Sequence, residues 1–158
     1  MRVLTALKLV SLLGAALCLS VPPSLLHGQE ATSDSAAVAE VIQRFHAALA
    51  SADSATVLAL LADDVVVLES GGLESRSEYR AHHLPADIRF TQAVKSKRGL
   101  LRVVVSGDVA WAVSTSEVSG MWRDRAIDSA AAELMVLTRE VNGWRIRAIH
   151  WSSRPKEK

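Results

Sequence analysis

Apolar residues in the region 38–49 recur with the spacing of one face of an α-helix. The residues that carry this pattern are Val38, Val41, Ile42, Phe45 and Leu49. Ser33, Asp34 or Ser35 can supply the N-cap of this helix. A second, shorter helix is predicted over 54–62, so the two helices form a hairpin joined at residues 51–53.

The period then changes from helix to strand. The stretch "DDVVVLESGG" is rich in β-branched residues and ends in two glycines, which predicts a strand followed by a turn. "SRSEYRAHHL" fits a third helix, with Pro85 in the first turn of a following short helix or loop. Four strand-like segments follow, separated by the hairpin signals Gly107–Asp108 and Asn142–Gly143. This order predicts an α+β domain, a curved antiparallel sheet packed on one side by about three helices.

The first 29 residues are predicted to be a secretory signal peptide, which leaves 30–158 as the domain. Arg2 and Lys8 flank the start of the apolar run "LVSLLGAALCLSV", which is short for a transmembrane helix. Cleavage is expected after Gly28 or Gln29, with an uncleaved membrane anchor as the alternative. The expected location of the domain is the periplasm or the extracellular medium.

Charge and cysteine content narrow the classes of partner and chemistry. Without Arg2 and Lys8, 16 basic residues face 17 acidic ones, so no nucleic-acid partner is expected. The one basic cluster, "KSKR", is interpreted as a solvated turn or strand end. The single cysteine, Cys18, lies in the predicted signal peptide, so the domain has no disulfide and no thiolate nucleophile.

Two passages resemble the nuclear transport factor 2-like (NTF2-like) superfamily, in particular its ketosteroid isomerase-like and SnoaL-like (DUF4440-type) branches. They are "VIQRFHAALASADSATVLALLADDVVVLESGG" and the closing "GWRIRAIHWSSR". The resemblance implies a cystatin-like cone that encloses a cavity for a small-molecule ligand, and a homodimer formed through the open sheet face. Because this fold serves many functions, the site has to be argued from its residues.

In the isomerase-like branch, a carboxylate near the end of the first strand acts as a general base, and the matching position is Glu69. A protonated acid on a later strand donates a hydrogen bond to the substrate oxygen, and the matching position is Glu133. Alternatively, Glu69 meets solvent and Glu133 forms an ion pair. The tyrosine of the first helix is replaced by Phe45, which has no hydroxyl, so steroid isomerisation is not expected. His46 points about 100° away from Phe45 and is not expected to substitute for the tyrosine.

Strand alternation predicts that Ile146 and His150 face the cavity from the last strand. On the third helix, Tyr79 shares a face with His83, and either His82 or His83 is expected to meet Glu69 and His150. These histidines can equally be exposed or structural. The four tryptophans are assigned mainly to packing or to the dimer interface, with ligand stacking as the alternative.

The predicted function is an exported small-molecule-binding protein, with enzymatic activity left open. An enzyme of this type would be a cofactor-independent isomerase, lyase or hydrolase. The alternatives are a non-catalytic binding or assembly module and a metal-dependent or metal-binding protein. The candidate catalytic residues are Glu69, His83, Glu133 and His150. The candidate ligand contacts are Phe45, Tyr79, His82, Trp111 and Ile146. No metal ligand is assigned, since adjacent helical histidines rarely chelate one ion, and no cofactor is expected, since phosphate loops and dinucleotide fingerprints are absent.

Overall fold

A computed structural model of the protein describes residues 23–157, with side chains described from residue 33. The helices are α1 (Pro23–Ala50), α2 (Ser54–Leu60), α3 (Arg76–Glu78) and α4 (Leu84–Ala93). The strands are β1 (Leu61–Glu69), β2 (Gly72–Ser75), β3 (Val94–Arg98), β4 (Arg102–Ser106), β5 (Val109–Trp122), β6 (Arg125–Glu140) and β7 (Gly143–Pro155). Between α3 and α4 lies a π-helical turn, Tyr79–His83.

The start of α1 differs from the prediction. The helix begins at Pro23, whose fixed φ suits a first helical position, and it continues through 33–35 without a cap there. Asp34, one of the predicted N-cap residues, instead forms an ion pair with Arg139 on β6, so its side chain makes a tertiary contact. Residues 1–22 of the predicted signal peptide lie outside the described part of the chain. Within 23–157, no helix combines the length and hydropathy needed to span a bilayer.

The strands form one seven-stranded sheet in the order β2-β1-β7-β6-β5-β3, and β4 also pairs with β5. All neighbours are antiparallel except β1 and β7, which run parallel. The meander of β4 to β7 confirms the prediction, whereas β2 and β3 were not predicted as separate strands. Lys95 to Arg98 of "KSKR" are exposed on β3, in agreement with a solvated strand end.

The core lies between the sheet and α1, as the helical spacing predicts. Val38, Ile42, Phe45 and Leu49 are all buried, with exposures of 0%, 1%, 0% and 4%. They belong to the same apolar cluster as the sheet residues Met135, Leu137, Ile146 and Ile149. Burial of this face stabilises α1 through tertiary packing. The predicted α+β class, with three helical segments packed on a curved sheet, is confirmed.

A bulge in β7 changes which residues face the helices. Ile146 pairs with Leu137 and Ala148 pairs with Val136, so Arg147 is an extra residue without a direct partner on β6. Because side chains alternate with a period of two, one extra residue reverses the alternation beyond it. Ile149 is buried and Trp151 is half-buried, whereas His150 is exposed. The predicted inward orientation of His150 is therefore wrong.

The helical segment 76–93 is a single helix with a π-helical turn inside it. Ser75 caps its start through a capping box with Glu78. The N–H of Leu84 donates to the carbonyl of Tyr79, five residues earlier, which is the π-helical pattern. Pro85 lacks an N–H and cannot continue the α-helical ladder, so the wider turn falls directly before it.

Candidate functional site

The sheet and the helices α1 and α4 line an open cavity of about 820 Å³, within the usual range for small-molecule sites. Its apolar wall includes the aromatic residues Phe90, Trp122 and Trp151. Its polar wall includes the hydroxyl groups of Ser96, Ser114, Ser116, Ser129, Ser152 and Ser153. The cavity is therefore large enough for a small organic molecule and presents both apolar and polar residues to it.

Four strands place a row of side chains along one side of this cavity. Glu69 on β1 pairs with Trp151 on β7, which pairs with Glu133 on β6, which pairs with Ser114 on β5. All four residues line the cavity. The bulge at Arg147 is what brings Trp151 into this row. Both carboxylates that the family resemblance suggested thus lie on the cavity wall, on either side of a tryptophan.

Glu133 is surrounded by hydrogen-bond donors. Its Oε1 lies 3.1 Å from His46 Nε2 and 3.1 Å from Arg98 Nη1, and the Ser114 hydroxyl is 3.5 Å away. Its Oε2 accepts a 2.7 Å hydrogen bond from Trp151 Nε1. The arrangement supplies donors to both carboxylate oxygens, which is what a buried, ionised carboxylate requires.

These donors decide the charge state of Glu133. Burial by itself raises the pKa of the carboxyl, but the hydrogen bond and charge of His46, together with Trp151 and Arg98, outweigh burial and hold the pKa below its ordinary value. Glu133 is therefore an ionised acceptor at neutral pH. The predicted protonated donor is wrong, because that role requires an apolar surrounding without cationic partners.

His46 is the functional residue of this network that the sequence prediction set aside. It lies on α1 next to Phe45, and the two rings contact each other edge to face with centroids 5.4 Å apart. Phe45 points into the core while His46 lines the cavity, so these adjacent helix residues lie in different environments. With Nε2 donating to Glu133, Nδ1 is left as the nitrogen that can accept a proton; this tautomer is assigned from the hydrogen bond.

Asp87 on α4 is a third cavity carboxyl, and it was not selected from the sequence. Burial raises its pKa to about 6; the Tyr79 hydrogen bond acts in the opposite direction, and the charge of Glu69 raises the pKa further. The hydroxyl of Tyr79 donates to Asp87 Oδ2 at 3.0 Å. Tyr79 is fully buried, and burial raises its own pKa, so it remains a neutral donor. Tyr79 therefore holds Asp87 in place rather than contacting the ligand as predicted.

The adjacent histidines lie at a separate cleft of about 220 Å³, lined also by Glu69 and Glu74. His83 Nδ1 is 2.7 Å from Glu74 Oε2, and His82 Nδ1 is 4.0 Å from Glu74 Oε1. The His83 contact is close but poorly aligned, so it is an ion pair rather than a linear hydrogen bond. This contact raises the pKa of His83 despite the opposing effect of burial. Both histidines thus face the β2 glutamate, and neither lines the main cavity.

The remaining predicted site residues lie elsewhere. Phe45 and Ile146 are fully buried in the core and do not line the cavity. Trp111 and His150 are both exposed, and neither lines the cavity. Among the described residues, no three histidine, cysteine, aspartate or glutamate side chains converge as metal ligands would.

The cavity, the helix-covered sheet and the strand order define a protein of the NTF2-like class. More specifically, residues 38–155 match the model of the SnoaL-like domain, and the chain belongs to this family. A comparison with curated proteins gives no match.

Solved structures agree with this assignment. A candidate ketosteroid isomerase from Shewanella frigidimarina is 34% identical, with a TM-score of 0.71 over 73% of this chain and 94% of that chain. An NTF2-like protein with a cystatin-like fold from Novosphingobium aromaticivorans is 19% identical, with a TM-score of 0.69 over 84% of this chain and 90% of that one. A candidate dehydratase of the NTF2-like family from Streptomyces avermitilis is also 19% identical, with a TM-score of 0.66 over 80% and 99%. The last two show the fold alone.

Proposed function

We propose that this protein binds a small molecule in the main cavity and acts on it by cofactor-independent acid/base chemistry of the isomerase or lyase type. The observation that carries the proposal is Asp87, a cavity carboxyl whose pKa is raised to about 6. A base with this pKa is mostly ionised at neutral pH, yet it holds a proton far more strongly than an exposed aspartate. These two properties suit a group that removes a proton from a substrate.

The surrounding groups have complementary roles. Glu69 lines the same cavity, and its negative charge helps to raise the pKa of Asp87. Tyr79 orients Asp87 through its hydroxyl. On α1, His46 lines the same cavity and is held there by its hydrogen bond to the ionised Glu133. In an isomerisation, the Asp87 carboxylate would remove a proton from one substrate carbon and, as the protonated acid, return it to another, so that the free carboxylate is regenerated.

The candidate isomerase that is 34% identical supports chemistry next to a carbonyl group. Phe45 limits the likeness, because it is buried and carries no hydroxyl where the isomerase-like branch has a tyrosine. The proposal therefore extends to proton transfer on a carbonyl compound and not to steroids.

The test follows the formation of a conjugated enone by ultraviolet absorbance. Two probes are used, a cyclic β,γ-unsaturated ketone for isomerisation and a β-hydroxy ketone for dehydration. We expect turnover of at least one probe, falling on the acid side with a pKa near 6, and a loss of about 10²-fold or more in Asp87→Asn. Glu117→Gln, which removes a surface carboxylate of β5, is the matched control. Full turnover by Asp87→Asn would refute the role of Asp87, and binding of both probes without turnover would favour a non-catalytic binding protein.

We further propose export and a homodimer. The leader-like segment supports export, and N-terminal sequencing of protein from the periplasmic fraction tests it. The outer sheet face supports the dimer, since Trp111 and Leu134 on it are exposed by 39% and 38% and no helix within residues 23–157 buries them. Sedimentation of the wild type against Trp111→Glu tests this: a single monomeric species for both proteins would refute the dimer.

A further inference from the structure

Arg123 lies at the tip of the β5–β6 hairpin, in a backbone conformation that a side chain rarely adopts. β5 ends at Trp122 and β6 begins at Arg125, so Arg123 and Asp124 form a two-residue turn. Their φ angles are 48° and 62°. Asn-Gly and Asp-Gly pairs are preferred in such turns, because left-handed backbone strains most other residues. An arginine in this strained conformation points to a use for its side chain.

The side chain of Arg123 lines the main cavity. Its guanidinium carbon is 5.3 Å from the centroid of the Trp122 ring, a cation–π distance. Arg98, the other arginine of the cavity, forms an ion pair with Glu133. Arg123 takes part in none of the ion pairs found among the described residues. It is therefore a cavity cation whose charge no protein carboxylate within this region neutralises.

Aromatic residues connect Asp87 to the hairpin tip that carries Arg123. Phe90 packs edge to face on Trp122, with ring centroids 5.4 Å apart. Asp87 precedes Phe90 by three residues of α4, or about 5 Å of helix rise, which places both residues on the same side of the helix. Phe90 and Trp122 form an aromatic wall between Asp87 and the hairpin tip.

We propose that Arg123 binds a carboxylate group of the substrate, whose planar, mainly apolar body lies along Phe90 and Trp122 with its reacting atoms beside Asp87. The inference rests on the proposed function and adds the substrate class to it. A guanidinium group pairs with a carboxylate through two parallel, charge-assisted hydrogen bonds, and Arg123 is exposed, so a ligand carboxylate can reach it. Glu69 and Asp87 repel an anion at the other end of the cavity, so the charges admit the substrate in one orientation.

The test compares naphthalene-1-acetate with the neutral naphthalene-1-acetamide, which has the same ring. Binding is followed by quenching of tryptophan fluorescence and checked by calorimetry. We expect the wild type to bind the acetate at least tenfold more tightly than the amide. Arg123→Asn should abolish this preference, and its melting temperature should not fall, since asparagine tolerates left-handed backbone. Arg125→Asn removes the same charge two residues away, outside the cavity lining, and should keep the preference.

Three results would overturn the inference. The first is that the wild type binds neither probe or binds both equally well. The second is that Arg123→Asn still prefers the acetate to the amide. The third is that Arg125→Asn loses this preference as fully as Arg123→Asn does, which would indicate an effect of general surface charge. The enone assay keeps the two proposals apart. If the protein turns over an enone probe but does not prefer the acetate to the amide, only the inference about Arg123 is refuted. If it prefers the acetate but turns over neither enone probe, only the enzymatic proposal is refuted.

Discussion

Replacing Asp87 by asparagine should stabilise the protein at alkaline pH. The pKa of Asp87 is about 6, against an ordinary value of 3.8, mainly because the carboxyl is buried. At about 1.4 kcal/mol per pKa unit, a difference of about two units means that ionised Asp87 lowers the free energy of unfolding by about 3 kcal/mol. Asparagine is neutral and can still accept the hydrogen bond from Tyr79, so it should remove most of this cost.

The effect has a defined pH dependence. Below pH 4 the carboxyl is protonated in both the folded and the unfolded chain, so it does not affect stability. Between about 4 and 6 the folded state holds the proton and the unfolded state has lost it; stability therefore falls as pH rises, and the full cost is present above 6. Asp87→Asn should be more stable than the wild type by about 3 kcal/mol at pH 8, and nearly equal to it below pH 4.

The assay is urea unfolding of both proteins at pH 4 and pH 8, followed by tryptophan fluorescence and fitted with a common m-value. Asp63→Asn, an exposed position on β1, is the matched control and should differ little from the wild type at either pH. A variant that is less stable than the wild type at pH 8, or a difference of the same size at both pH values, would show that Asp87 is not a desolvated carboxyl. The argument for its role as a base would then fail.

Two further predictions concern the row of side chains on the cavity wall. Glu133→Gln should lower the free energy of unfolding by about 1–3 kcal/mol at pH 7, because His46 and Arg98 lose their carboxylate partner. The pKa of Glu133 is lowered in the folded state, so its contribution is lost as pH falls and urea unfolding should show the gap closing in strong acid; a gap that persists there would contradict the ion-pair account. His150→Ala should change stability by less than about 0.5 kcal/mol, whereas Trp151→Ala should cost about 2–4 kcal/mol. Thermal unfolding compares these two, and the reverse order would contradict the bulge-dependent orientation of β7.

The helices and the long strands could be predicted because their signals are local. The burial of Val38, Ile42 and Phe45 follows from residues three and four positions apart, and the meander follows from turn residues between alternating segments. The predicted start of α1 was wrong because it depended on a contact between residues far apart in the chain. Asp34 has the chemistry of a cap, but its partner Arg139 lies 105 residues away.

The site was predicted in part. The family resemblance pointed to Glu69 and Glu133, and both line the cavity. The orientation of His150 was predicted wrongly. The prediction assumed regular strand alternation, which the bulge at Arg147 interrupts. Helical spacing puts Asp87 near the face of Tyr79, but Asp87 was passed over because the spacing does not show that this face is buried.

The sequence by itself therefore determined the fold class, the family and two carboxylates of the cavity wall, since these depend on local periodicity and on recognisable passages of chain. Only the tertiary structure decided the charge states and the partners. His46 and Glu133 are 87 residues apart, and their pairing makes the glutamate an ionised acceptor rather than a protonated donor. Burial raises the pKa of Asp87, and burial is a property of the packed chain. His82 and His83 both face Glu74 because the π-helical turn packs beside strand β2.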